Sequence, residues 1–389
     1  MGAGLAQLGG VVPFVTRLSR CALALLALPA LAACELSSSA ASAEAPAPAA
    51  SATNKTPAVQ AKAPPPAPTD PAPAPAPAAD RPPTAVPPAA PQPGAPAHPT
   101  TPRFAGTGLT QELILRQLAV GQPLSFKPVG STSTVFRVRM AGPVDAAFKS
   151  VTSDRPLGPL AEVAAYRLAR CLQLDNVPPA VSRSVPLAAI RDGLDADERG
   201  AWEKIAALLE VGTDGLVHGV AIYWIPDLSN VGLESRGDDR MALGWLHAHG
   251  RLPEDRRALA GSVSTMVAFD YLVGNFDRWS GGNVRGDARG QRVYIRDHDL
   301  AFPAKMREQL HRRLWQTVVQ VERFSRSFYQ QLRALDRPCF ERELAADLGA
   351  TEHLSERQIL GVLDRRHALL SHIEALISLR GQERVLVFD

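Results

Sequence analysis

Asp270-Tyr271-Leu272-Val273-Gly274-Asn275-Phe276-Asp277-Arg278, followed by Asn283 and then by Asp297-His298-Asp299-Leu300-Ala301-Phe302-Pro303, decides how this chain is read. Moving a phosphoryl group from a nucleotide asks little covalent chemistry of a protein. It asks for a carboxylate that orients the acceptor hydroxyl, and for an amide and a second carboxylate that hold Mg²⁺ against the phosphates. Asp277 after a helix, Asn283 in the next loop, and Asp297 after the apolar strand Val293-Tyr294-Ile295 supply those groups in the order kinases use. Residues 266–273 are nearly all apolar, so the helix should be core, and a carboxylate at its mouth is well held for orienting a proton. Plainer explanations exist: Asp277 paired locally with Arg278, and Asn283 as an ordinary turn residue among Ser280, Gly281 and Gly282. Asp270 points back within the helix and is expected to brace the loop by hydrogen bonds.

Upstream, the same chemistry needs a cation spanning the α- and β-phosphates and an acid that orients it. Lys149 lies in a predicted strand, residues 146–151, and Glu162 on the otherwise apolar predicted helix 160–172. From residue 104 onward there are four lysines against 32 arginines, so a cation with no special task would have been Arg. Lysine is a compact point charge suited to phosphate. A solvated strand lysine is the plain alternative, and Lys127 is the fallback for the role. Glu162 reads as opening its helix, where a carboxylate also favours the dipole. Gly130-Ser131-Thr132-Ser133-Thr134, between two predicted strands, would offer backbone N–H groups to phosphate oxygens, with an ordinary hairpin turn as the alternative. Asp297 is preferred to Asp299 as the metal ligand by register with Phe302, and oxygen ligands are what Mg²⁺ demands. A transition-metal site at His298 lacks a partner pair of His or Cys at ligand spacing.

The catalytic segment resembles that of the secretory-pathway kinases (the Golgi casein kinase family) and of type II phosphatidylinositol 4-kinases. Ile295-Arg296-Asp297-His298-Asp299-Leu300-Ala301-Phe302-Pro303 is similar to their metal-binding turn, with His298-Asp299 where Asn-Gly is usual. Glu162-Val163-Ala164-Ala165-Tyr166 and its continuation to Val177-Pro178-Pro179 resemble the helix and turn of the same group and of HipA-like kinases. The similarity spans residues 124–303, and the loop near Gly130 is poorer in glycine than the group's. The resemblance implies an atypical kinase with ATP as cosubstrate and Mg²⁺ or Mn²⁺. Asp277 would be the base, Asn283 and Asp297 the metal ligands, and Lys149, Glu162, Gly130, Ser131 and Thr132 the nucleotide site.

The order of elements agrees with that fold. A helix over 110–119, a strand–turn–strand over 124–140 and the strand with Lys149 come first. The helix carrying Glu162 follows, closed by Val177-Pro178-Pro179. Residues 219–225 form a continuous apolar run, which suits a strand buried on both faces. After residue 239 the chain reads mainly as helix. Ser355-Glu356-Arg357-Gln358 looks like a capping box for a last long helix with Ile359, Leu360, Val362 and Leu363 at helical spacing. Strands first and helices later predict an α+β, two-lobed, kinase-like domain. Its strand-rich N-lobe would cover 104–226 and its helical C-lobe 227–389.

The beginning of the chain speaks of location. Arg17 and Arg20 precede an apolar run too short to span a bilayer, so residues 1–33 read as a signal peptide. Leu31-Ala32-Ala33-Cys34 resembles a bacterial lipobox, which implies lipidation of Cys34 and anchoring to a membrane of the cell envelope, on its periplasmic or cell-surface face. Residues 34–103 hold 20 of the chain's 34 prolines, and with so little apolar surface the stretch is expected to be a disordered tether. As polyproline II it would reach about 100 to 200 Å.

Residues 104–389 balance 36 basic against 35 acidic side chains without a block of either sign, which gives no reason to expect nucleic acid as a partner. Cys171 and Cys339 offer no disulfide framework and no zinc spacing. Cys171 is expected to be a small buried side chain, with a Cys171–Cys339 bridge left open. The expectation is therefore an envelope-anchored atypical kinase transferring the γ-phosphate of a nucleoside triphosphate to a hydroxyl of a protein, sugar or inositol lipid. The alternative is a catalytically inactive kinase-like binding module.

Overall fold

Alanine-rich and β-branched stretches set the first half of the architecture. A computed structural model describes residues 102–129, 134–235 and 237–389. The expectations for the signal peptide, Cys34, the tether up to residue 101, and Gly130, Ser131 and Thr132 lie outside the described residues. The chain enters through helix α1 (Gln111–Val120), whose N-cap Thr110 accepts from the Leu113 amide. Strands β1 (Pro123–Val129), β2 (Val135–Met140) and β3 (Ala146–Ser150) follow. Helix α2 (Gly158–Cys171), strand β4 (Ala180–Pro186), the short helices α3 (Leu187–Asp192) and α4 (Trp202–Ala206), and strand β5 (Leu216–Tyr223) complete this half. The five strands form one antiparallel sheet in the order β1-β2-β3-β5-β4.

β5 is buried on both faces, as its unbroken apolar run requires. Val220 and Ile222 join one core with α2, while Val217, Ala221 and Tyr223 join another with Ile114 and Leu118 of α1. Lys149 stands opposite Val220 in the register and so shares the face that looks at α2. β4 escaped the sequence reading because Ser182, Arg183 and Ser184 break its apolar pattern at the sheet edge.

α2 ends at Cys171, one residue short of the expected Leu172. Gln173 takes φ of 53° just past the C-cap Leu172, which turns the chain before Pro178 and Pro179 are reached. α2 begins at Gly158, so Glu162 lies beyond the first turn, which carries no acidic residue. The expectation that Glu162 opens its helix is corrected, and the dipole alone does not account for it.

The second half is helical around a small antiparallel sheet, β6 (Ser229–Asn230), β7 (Arg285–Gly286) and β8 (Val293–Tyr294), in the order β6-β7-β8. Its helices are α5 (Asp238–Leu246), α6 (Arg257–Val273), α7 (Glu308–Val318), α8 (Arg326–Ala334), α9 (Arg337–Ala345), α10 (Glu356–Arg380) and α11 (Gln382–Val385). α6 is buried from Val263 to its end, and each such Leu or Phe contributes about 1.5–3 kcal/mol. Ser355 and Gln358 make the expected capping box at α10, but Leu360 faces solvent while Ile359 and Val362 are buried.

α2 packs in the same core as these helices, and it is also tied to them covalently. Cys171 is bonded to Cys339 of α9, with Cα atoms 6.1 Å apart, so the expectation of a free buried thiol is corrected. The bridge closes a span of 168 residues and stabilises the domain by about 2–4 kcal/mol. Arg170 Nε adds an ion pair to Glu343 at 2.9 Å beside it. No helix among the described residues is long and apolar enough to cross a membrane.

Candidate active site

Three separately positioned carboxylates meet one ammonium group. Lys149 comes from the middle strand β3, Glu162 from α2, and Asp297 and Asp299 from the turn after β8. Lys149 Nζ donates to Glu162 Oε1 at 2.7 Å and to Asp297 Oδ1 at 3.1 Å, and stands 3.8 Å from Asp299 Oδ2. Lys149 is only 8% exposed. Burial opposes its charge, yet Glu162, Asp297 and Asp299 together outweigh that cost and hold the ammonium above its ordinary value. Asp297 is itself penalised by burial, but Lys149 foremost, with Arg296 and Arg278, holds its carboxyl below the usual range. Lys127, the fallback, is exposed and 3.7 Å from Asp197, away from these groups.

The segment carrying Asp277 is fixed from beneath. α6 stops at Gly274, whose φ of 75° lets its N–H return to the carbonyls of Asp270 and Tyr271. A Cβ there would meet Met306 Cε at 2.8 Å, a flexible side-chain end that can move, so it is the positive φ that favours glycine. Asp270 braces the loop as expected, and its partner is Arg278. Arg278 Nε and Nη2 donate to the two Asp270 oxygens, both at 2.8 Å. The same guanidinium donates through Nη1 to the Asn283 carbonyl at 3.2 Å and to the Arg296 carbonyl. Arg278 thus ties the helix end, the loop of Asn283 and the residue before Asp297 together. The local Asp277–Arg278 pair is overturned, because Arg278 turns inward to Asp270. The Asp277 carboxylate makes no hydrogen bond or ion pair among the described residues.

A single amide couples the other two segments. Asn275 Nδ2 donates to the Asp297 carbonyl at 3.1 Å, while its Oδ1 accepts from the Asp277 N–H at 3.1 Å. Asn283 Nδ2 donates to the Asp277 carbonyl at 3.2 Å and to Ser280 Oγ at 3.3 Å, which leaves Asn283 Oδ1 as its metal-competent atom. Asp297 holds φ at 65°, a left-handed backbone that costs energy for a residue with a side chain and here points it at Lys149. His298 faces inward, 1% exposed, its Nε2–H donating to the Ile295 carbonyl at 3.1 Å. Burial, with help from Arg278, pushes its imidazole down to about 4, so it is neutral at pH 7.

The structure therefore gathers Lys149, Glu162 and Asp297 directly, and the segments of Asp277 and Asn283 through Asn275 and Arg278. Asn275, Arg278 and Arg155 were not singled out as site residues from the sequence, whereas Asp299 was weighed there as the alternative metal ligand. Arg278 carried a weak signal, standing eight residues beyond Asp270 and four past the glycine that ends the helix. Among the described residues no group of three or more His, Cys, Asp or Glu is arranged to hold a metal alone. A cavity of about 1170 Å³ lies elsewhere, lined by Arg257, Ser262, Asp287, Arg292 and Phe388, and includes none of these groups.

The chain shares its fold with solved kinases. The crystal structure of the Golgi casein kinase with Mn/ADP bound superposes with a TM-score of 0.54 at 15% identity, covering 71% of this chain and 78% of that one. The structure of hydra Fam20 with sugar gives 0.55 at 16% identity, covering 73% of this chain and 94% of the other. At such identity the likeness is one of architecture, a strand-rich N-lobe and a helical C-lobe. No family model and no curated protein matches the sequence.

Proposed function

We propose that this chain is an envelope-anchored atypical kinase that transfers the γ-phosphate of ATP to a hydroxyl group. The observation that carries the proposal is the meeting of Glu162 and Asp297 at the Lys149 ammonium, at 2.7 and 3.1 Å, from three separate elements. A strand lysine with no task would lie in solvent, whereas this one is buried among more carboxylates than it can neutralise. Such a cluster awaits positive charge on the carboxylates and negative charge on the lysine, which a metal–nucleotide brings together. The fold neighbour crystallised with Mn/ADP supports the same pairing.

In this reading Lys149, oriented by Glu162, grips the α- and β-phosphates. Asp297 and Asn283 hold Mg²⁺ or Mn²⁺, which when bound neutralises charge on the phosphate oxygens. Asp277 orients the acceptor hydroxyl and accepts its proton as the oxygen attacks the γ-phosphorus and the bond to the β-phosphate oxygen breaks, releasing ADP. Nothing restrains the Asp277 carboxylate within the described structure, as befits a group that meets an external acceptor. Lipidation of Cys34 and the Pro/Ala-rich tether would hold this domain at the envelope face of a membrane. Acceptor hydroxyls of protein, sugar or inositol lipid all fit the chemistry.

The test is nucleotide binding by thermal shift, with ATP and Mg²⁺ or Mn²⁺, together with phosphate transfer. Asp297→Ala is expected to abolish metal-dependent binding. Asp277→Ala is expected to keep binding and lose transfer. Binding without transfer in the wild type favours the inactive module, and transfer that survives Asp277→Ala refutes the base.

A further inference from the structure

The turn after β8 carries a second carboxylate, Asp299, and its partner comes from the connection between β3 and α2. Arg155 Nη1 donates to Asp299 Oδ2 at 2.5 Å, and the same oxygen lies 3.8 Å from Lys149 Nζ. Two cations thus converge on one oxygen, Lys149 at the buried end and Arg155, a third exposed, at the open end. Asp299 packs against the start of α2, where a Cβ on Gly158 would come within 3.3 Å of the Asp299 Cβ.

Three features point beyond a static ion pair. Arg155 spends one of its five N–H donors on a named hydrogen bond, and its other ionic neighbour, Asp154 at 3.8 Å, is solvent-exposed. A metal drawn to the turn of Asp297 and Asp299 would compete with Arg155 and Lys149 for the Asp299 oxygen they share. The segment expected to cradle phosphates contains a single glycine, Gly130. A guanidinium presents the planar fork that phosphate oxygens accept in pairs, which an ammonium cannot.

We infer that Arg155 is a second phosphate-gripping residue, parked on Asp299 and transferred to the β- and γ-phosphate oxygens when metal and nucleotide enter. The inference rests on the kinase reading. It assigns recognition of the phosphate tail, not of the base or sugar, to a residue outside the motifs that mark the site.

Equilibrium binding of ATP and of adenosine to the full chain tests it, with Mn²⁺ present, for wild type, Arg155→Gln and Arg155→Lys. Arg155→Gln is expected to weaken ATP about tenfold, the scale of one charge-assisted hydrogen bond, and to leave adenosine unchanged. Arg155→Lys should recover part of the loss. Equal losses for ATP and adenosine, no loss for either, or tighter ATP binding by Arg155→Gln each overturn the inference. A wild type that binds neither ligand overturns the kinase reading and this inference with it. A wild type that binds ATP, with Arg155→Gln unchanged, overturns this inference alone.

Discussion

Two buried ion clusters in this domain use the same residue types to opposite ends. Asp270 and Arg278 satisfy each other: two oxygens meet two N–H groups at 2.8 Å, both side chains are sealed from water, and the remaining donors go to main-chain carbonyls. Lys149 is shared among Glu162, Asp297 and Asp299, and Asp297, a third exposed, faces the open side of the cluster. The first arrangement is closed and has nothing left to offer a ligand. The second carries surplus acid and a cation that can change partners. The lesson is that burial of charge does not itself mark a functional site. A saturated pair holds the chain together, while an unbalanced cluster is open to chemistry.

Breaking the closed pair gives the largest expected effect on stability. Asp270→Asn leaves the Arg278 guanidinium buried without its carboxylate, and removal of one partner from such a pair costs about 3–5 kcal/mol. Urea denaturation of the full chain measures it. A loss below about 1 kcal/mol would mean that the carbonyls of Asn283 and Arg296 hold Arg278 without help.

His298 sits between the two clusters and gives an intermediate effect that depends on pH. Its imidazole is pushed down from the ordinary 6.5 to about 4 by burial and by Arg278, so the folded state stays neutral where the unfolded state takes up a proton. Stability is therefore full above about pH 6.5 and falls as pH is lowered toward 4, by up to about 3 kcal/mol. Denaturation midpoints at pH 7 and pH 5 report the slope, which His298→Gln should flatten. An unchanged slope in that variant removes His298 as its source.

The smallest stability effect is expected at the open cluster. Asp297→Asn leaves Lys149 with Glu162 at 2.7 Å and Asp299 at 3.8 Å, and the Asp297 side chain is 33% exposed. Urea unfolding should move by less than about 1 kcal/mol, in contrast to Asp270→Asn. A loss as large as that of Asp270→Asn would show that the Lys149 cluster is structural and end the distinction drawn between the two.

The amino-acid sequence by itself determined the order of elements and the identity of the groups. The apolar run through β5, the buried helix α6, the capping box at Ser355 and the carboxylates flanking β8 follow from local periodicity and residue type, because those preferences act over one or two turns or strands. Asp270 as a brace was legible too, since a carboxylate inside an apolar helix must find a partner. Only the tertiary structure decided which partner. Arg278 turns to Asp270 and not to Asp277, Cys171 meets Cys339 across 168 residues, and Arg155 reaches Asp299. Glu162 owes its place to the packing of α2 against β4 and β5, not to the helix terminus assumed for it. Each of these depends on contacts between segments far apart in the chain, where the distance between two charged groups is set by packed elements and leaves no trace in local spacing.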